Sequence, residues 1–245
     1  MKLKFLINLK RVFLNKVINA SVIMSVYNNE DTIVKCVESI VNQTNNDFEF
    51  LIIDDNSTDY SYEILKKLDN QYHQIKLFKN NKNIGLTKSL NQLIGEASGD
   101  YVFRQDGDDY SDINRLNKQL DVMYKYNLDF CTTRAINLQD NNTIPGYSHY
   151  LPYKYLLKYK NPFIHGSLCI KKEAILEIGK YDELFYYSQD YKLFSDLIQR
   201  KYKFKVINKP LYFLNTVNNI STNNKKEQEY YANCVKNKLV PNEAR

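Results

Sequence analysis

FEFLIIDDNSTD (Phe48–Asp59) is a seven-residue β-rich run, FEFLIID, that stops in the turn-forming cluster DNSTD. A short apolar run bounded by turn residues reads as a buried strand. The same pattern repeats on both sides of it. Upstream, SVIMSV (Ser21–Val26) is a second such run and stops at YNNED. Between the two, Ile33, Val34, Val37, Ile40 and Val41 recur at i, i+1, i+4, i+7 and i+8, which predicts an amphipathic helix. Downstream, Ile64, Leu65 and Leu68 mark another helix, and IKLFK (Ile75–Lys79) is a third strand. After NNKNIG comes a helix carrying Leu86, Leu90, Leu93 and Ile94, ending near Gly95–Gly99, and then YVFRQ (Tyr101–Gln105), a fourth strand. Strands alternating with single helices make βαβ units. The expected fold class is therefore α/β, with a Rossmann-like, mainly parallel central sheet flanked by helices, in a single domain. In such sheets ligands bind beyond the carboxyl ends of the strands. YNNED, DDNSTD, NNKNIG and DGDD each follow one of the four strands, so together they form one polar rim.

Composition sets outer bounds. The chain has 245 residues, 43% hydrophobic and 25% charged, an ordinary globular mixture. A net charge of +6 fits a phosphorylated ligand or an anionic membrane surface and is too diffuse to argue for nucleic acid. Cys36, Cys131, Cys169 and Cys234 are scattered, with no CxxC, which argues against structural zinc and for reduced thiols in the cytoplasm. No run approaches the roughly 18 apolar residues of a spanning helix. Residues 1–20 interleave Phe5, Leu6, Leu9, Val12, Phe13 and Val17 with Lys2, Lys4, Lys10, Arg11 and Lys16. That is either a basic amphipathic helix in peripheral contact with the inner face of a membrane or an element packed on the domain's flank. Residues 216–245 read as a polar, partly helical tail whose end is disordered, leaving 21–215 as the main domain.

YVFRQDGDDYSD (Tyr101–Asp112) puts four carboxylates into seven positions at a strand end. Asp106, Asp108 and Asp109 are either a solvated turn or ligands for a hard divalent cation, Mg2+ or Mn2+, with a diphosphate completing its shell. Gly107 permits close backbone approach. The EF-hand pattern is incomplete, and neither GxxxxGK[ST] nor GxGxxG occurs, so P-loop and dinucleotide readings fail.

SVIMSVYNNED, FEFLIIDDNSTD, NIGLTKSLNQLIGEASGDYVFRQDGDD and SQDYKLFSDLIQR, in that order, resemble successive motifs of the family-2 glycosyltransferases with the GT-A fold. The resemblance runs from about Ser21 to about Arg200. It implies a nucleotide-sugar site in which Ser25, Tyr27 and Glu30 line the base and ribose pocket and Asp55 accepts from the uracil ring. The alternative for Asp55 is a turn cap. Asn83, Gly85 and Lys88 would lie near the nucleotide-sugar, Lys88 either on a phosphate or in solvent. Asp106, Gly107 and Asp108 would take the DxD role, with Asp109 as a further metal ligand.

The remaining motif supplies a candidate base. Past a helix with Leu116, Leu120 and Met123 and a fifth strand, LDFCTTRAI, the region Asp140–Pro162 is rich in Tyr, Asn and Pro and is expected to face the acceptor. Phe194, Leu197 and Ile198 define the buried stripe of the last helix. At 100° per residue Asp190 lies about 40° from Phe194 and about 20° from Leu197, so it points inward at the helix start. It either complements the helix dipole or acts as a general base, and the resemblance implies the second. Gln189, His165 and Arg104 are secondary candidates. The implied activity is inverting transfer from a nucleotide-diphosphate sugar, favouring UDP, to a glycan or lipid-linked acceptor. The competing readings are a nucleotidyltransferase forming nucleotide sugars, which lacks its Gly-rich basic loop here, and a catalytically silent binding subunit.

Overall fold

The computed structural model describes residues 19–45, 47–217 and 224–242. Four strands, β1 (Ala20–Val26), β2 (Phe48–Asp54), β3 (Ile75–Lys79) and β4 (Tyr101–Arg104), pair in parallel in the order β3-β2-β1-β4. Their crossovers are α1 (Ile33–Val41), α2 (Ser61–Gln71) and α3 (Leu86–Glu96). Val26 pairs with Asp54 and Asp54 with Lys79, so the strand ends are level and their loops share one rim. β1, β2 and β4 alternate their buried side chains between two cores. Ile23, Leu51, Ile53 and Val102 face α3, whereas Val22, Met24, Phe50, Ile52 and Phe103 face α1 and α2. Burial on both faces is why these runs read as nearly continuous apolar segments.

Past β4 the chain forms β5 (Tyr110–Ser111), α4 (Arg115–Tyr126), β6 (Phe130–Asn137), β7 (Thr143–Ile144) and a short helix α5 (Tyr153–Leu156). It continues as β8 (Cys169–Lys171), α6 (Lys172–Glu177), α7 (Gln189–Gln199), β9 (Phe204–Leu214) and α8 (Lys225–Asn237). The sheet extends as β4-β8-β6-β9-β5, with β7 on β6. β8 runs antiparallel to both β4 and β6, while β9 is parallel to β6. The expected parallel sheet thus describes the first half, and the second half is mixed.

An antiparallel β8 begins where β4 ends. The 3-10 turn His165–Ser167 that leads into β8 is thereby delivered beside the acidic loop. The segment read as a polar tail holds α8, whose Tyr231, Cys234 and Val235 join the core beside α7. It is a packed element of the same domain. Residues 1–18, with the amphipathic reading made for them, and the last three residues lie outside the described residues. Among the described residues no helix is long and apolar enough to cross a membrane.

Candidate active site

The loops after β1 and β2 are zipped together by side chain to backbone bonds. Asn28 N–H donates to Ser57 Oγ at 3.1 Å, and Asn28 Oδ1 accepts from Thr58 N–H at 2.8 Å. Glu30 Oε2 accepts from Tyr60 N–H at 2.8 Å, so this carboxylate braces the pair of loops. Ser25 is half-buried and Tyr27 exposed on their outer side. Asp55 is buried and its carboxylate already has three donors: Asn80 Nδ2 at 2.8 Å, Ile84 N–H at 2.9 Å and Gly85 N–H at 2.8 Å. It pins the loop between β3 and α3 to the end of β2. A carboxylate offers about four acceptor positions, which leaves one for an incoming N–H. Gly85 has φ +87, a conformation that suits glycine, and its N–H can point back at Asp55 because of it. Asn83 and Lys88 stand exposed on either side.

The acidic loop rests on buried cations and hydroxyls. Arg104 is 1% exposed; its guanidinium donates to the Gln105 carbonyl and pairs with Asp106 Oδ1. Asp106 N–H donates to the Tyr212 hydroxyl at 3.1 Å. Beneath them Arg115, fully buried, braces three acceptors: the carbonyls of Arg104 and Gly166, each at 3.1 Å, and Gln105 Oε1 at 3.3 Å. Burial, reinforced by the neighbouring Asp106, pushes the Asp108 carboxyl up to about 6. Burial, Asp106 and Asp108 push Asp109 well above the usual carboxylate range, even though Asn215 N–H donates to it at 2.6 Å. Gly166 packs against this group so closely that a Cβ there would sit 2.1 Å from the Tyr212 hydroxyl oxygen and 2.6 Å from Asp106 Oδ2.

A cavity of about 540 Å3 brings Asp106, Asp108 and Asp109 together with His165, Gln189 and Asp190. Asp190 stands in the first turn of α7, where its charge complements the helix dipole, and its Oδ2 accepts from Asn161 Nδ2 at 2.7 Å. Its inward direction matches the helical phase. His165 Nε2 lies 2.7 Å from the Tyr181 hydroxyl, and burial together with Arg104 holds its pKa below the usual value. The nucleotide-side candidates Ser25, Tyr27, Glu30, Asp55, Asn83 and Lys88 do not line this cavity; they belong to the β1–β3 part of the rim. Sequence reasoning missed Asn161, Tyr181, Tyr212 and Asn215, which hold the acidic and basic groups in place. It also missed α8, from which Lys225, Gln228, Glu229 and Lys236 close one wall. A tyrosine inside the apolar run LYFL and an Asn before Pro162 were the available signals.

Among the described residues no three His, Cys, Asp or Glu side chains converge closely enough to hold a metal ion. Asp106 is paired with Arg104, and Asp109 is buried and engaged by Asn215. These residues form no all-protein cage among the described residues, in keeping with a site whose remaining ligands come from a diphosphate. Asp108 does fit a cation that takes one or two carboxylates and draws its other ligands from a diphosphate. It is a crowded oxygen donor on the cavity wall, and a positive charge would relieve its repulsion from Asp106.

The family model described as glycosyl transferase family 2 matches residues 21–185. The chain belongs to glycosyl transferase family 2. Over 164 residues it is 34% identical to EpsE of Bacillus subtilis (strain 168), a protein named as a glycosyltransferase; the match covers 66% of this chain and 59% of that one. An E. coli relative, named UDP-Glc:alpha-D-GlcNAc-diphosphoundecaprenol beta-1,3-glucosyltransferase WfaP, is 35% identical over 42% of this chain and 40% of its own. The chain thus spans well under two thirds of either relative. S. aureus TarS in complex with UDP-GlcNAc superposes with TM-score 0.72 at 19% identity, covering 84% of this chain and 61% of that one, which shows a shared GT-A fold. A mannosyltransferase from Pyrobaculum calidifontis, in complex with GDP-Man and Mn2+, superposes with TM-score 0.61 at 16% identity over 85% of this chain and 62% of its own. The family match ends at residue 185, so Asp190 and the α8 wall of the cavity lie beyond it.

Proposed function

We propose that this protein transfers a hexosyl or N-acetylhexosaminyl group from a nucleotide-diphosphate sugar to a hydroxyl of a glycan or lipid-linked acceptor, with inversion. The observation that carries the reading is the single cavity in which Asp190 shares a wall with the acidic loop after β4. The nucleotide is assigned to the β1–β3 part of the rim, where Ser25, Tyr27, Glu30, Asp55, Asn83, Gly85 and Lys88 stand. UDP is favoured because WfaP is named for UDP-Glc and TarS was solved with UDP-GlcNAc. The acceptor class is supported by WfaP, whose printed acceptor is lipid-linked.

Asp190, oriented by Asn161, accepts the proton of the acceptor hydroxyl while that oxygen attacks the anomeric carbon. The new C–O bond forms as the bond to the diphosphate breaks, and one displacement inverts the anomeric centre. Asp108, with Asp106 alongside, would hold a divalent cation, which would supply Lewis-acid stabilisation of the departing diphosphate. Arg104 orients Asp106, and Gln189 and His165 line the cavity wall together with the two carboxylate groups. The cysteines are free and buried and the chain is basic, which supports work in the cytoplasm at the inner face of a membrane.

The test is a calorimetric panel of UDP-, dTDP- and GDP-sugars with and without Mn2+. Binding of at least one donor, tightened by the metal, is expected. A flat response to every donor contradicts the proposal.

A further inference from the structure

Residues 147–160, YSHYLPYKYLLKYK, have a two-sided character that the cavity does not absorb. The inner side is anchored. Tyr153 stacks on Phe163 with ring centroids 5.1 Å apart, Leu157 is buried, and the Leu157 carbonyl accepts from the Tyr191 hydroxyl. The outer side presents Tyr147 (94% exposed), Tyr150, Leu151, Tyr155 and Tyr159 (74%) to solvent, an unusual density of exposed large side chains. Lys154, Lys158 and Lys160 stand among them, also exposed. No Asp or Glu occurs between Asp140 and Glu173, and among the described residues no carboxylate pairs with these lysines.

We propose that this face docks on an anionic lipid surface. Tyrosine has an apolar ring and a polar tip, which suits the boundary between acyl chains and headgroups, and lysine stems lie along apolar surface with the charge in water. Each basic residue near an anionic leaflet strengthens binding roughly fivefold. The acid-free run from 141 to 172 leaves the charge of this face uniformly positive, which complements an anionic leaflet. The face also ends at the site. Tyr159, Lys160 and Asn161 line the cavity, and Asn161 holds Asp190. Resting on the proposed transferase reading, this geometry lays the headgroup of a lipid-linked acceptor next to the base.

The test is flotation of the full chain, without donor, on vesicles of phosphatidylcholine alone or of phosphatidylcholine with an equal part of phosphatidylglycerol. The full chain should float with the anionic vesicles and not with the neutral ones. Two variants separate the contributions: Y147S/Y150S/Y155S removes exposed rings, and K154Q/K158Q removes two charges together with the Lys158 contact over the Tyr155 ring. Each should weaken binding about tenfold or more and leave the thermal melt unchanged. Native binding by the charge variant, with loss only when residues 1–18 are deleted, overturns the proposal. So does an absence of vesicle binding by the full chain, or loss of a soluble oligosaccharide rather than vesicles in either variant. Because no donor is present, failure of the transferase reading leaves this result readable on its own.

Discussion

Asn161 donates to Asp190 Oδ2 at 2.7 Å, and this bond fixes the direction of the candidate base. Hydrogen bonds to ionised groups contribute about 1.5–3 kcal/mol. Asn161→Ala should therefore lower kcat about tenfold or more while the donor Kd, read by calorimetry, stays unchanged. A shift in Kd alone would assign Asn161 to the nucleotide instead. Glu49 gives a second residue-scale expectation. Its Oε1 accepts from Ser21 Oγ at 2.6 Å and from the N–H and hydroxyl of Ser98 at 2.6 and 2.7 Å, tying β1 and β2 to the turn before β4. Burial pushes its pKa up, but these bonds together with Lys76 outweigh burial and hold it below the usual 4.5. A depressed folded-state pKa means stabilisation that is complete above about 4.5 and is lost as pH falls through the folded value. Glu49→Gln should flatten the acid side of a Tm-against-pH curve; an unchanged acid slope would remove Glu49 from that role. Asp190 was legible because helical phase alone turns it inward. The three donors on Asp55 were not, because they come from a loop 25 to 30 residues further along whose path depends on Gly85.

At the scale of elements, β1, β2 and β4 were readable because burial on both faces leaves unbroken apolar runs closed by turn residues; the edge strand β3 is only partly buried and was read from its short IKLFK run between turn clusters. β9 was not: FKVINKPLYFL mixes Lys, Asn and Pro with apolar residues, is largely half-buried, and gains its partner β6 only from about seventy residues away. Its pairing with β6 contains register irregularities between Thr133 and Ala135, so a simple alternation cannot be followed. α8 was hidden for a related reason. Its stripe is only Tyr231, Cys234 and Val235 on an otherwise charged helix, and its dock is formed by α7. Ser188, just before α7, donates its hydroxyl to the Gln228 carbonyl at 3.1 Å and so fastens α8 beside Asp190. Tyr231 is buried between Phe185 and Tyr187. Tyr231→Ala should destabilise the fold by about 3 kcal/mol, roughly 6–12 °C in Tm. A variant melting like the native chain would show that α8 is not part of the cooperative unit.

For the molecule as a whole, topology explains why chemistry gathers where it does. The strand order β3-β2-β1-β4 reverses direction at β1, and a crevice opens where crossovers leave to opposite sides of the sheet. The loops after β1 and β4 flank that crevice, and the antiparallel β8 and the start of α7 bring His165 and Asp190 to its far side. One polar rim then carries the proposed nucleotide side, at β1–β3, and the candidate base Asp190 on the other. The most direct measurement is calorimetry and transfer assayed in parallel for Asp190→Asn and Asp108→Ala, with a nucleotide sugar the native chain binds. Asp190→Asn should bind the donor like the native protein and lose transfer by a factor of at least about a hundred, while Asp108→Ala should lose the metal-dependent part of donor binding. Transfer by Asp190→Asn at the native rate would contradict the assignment of Asp190 as the base.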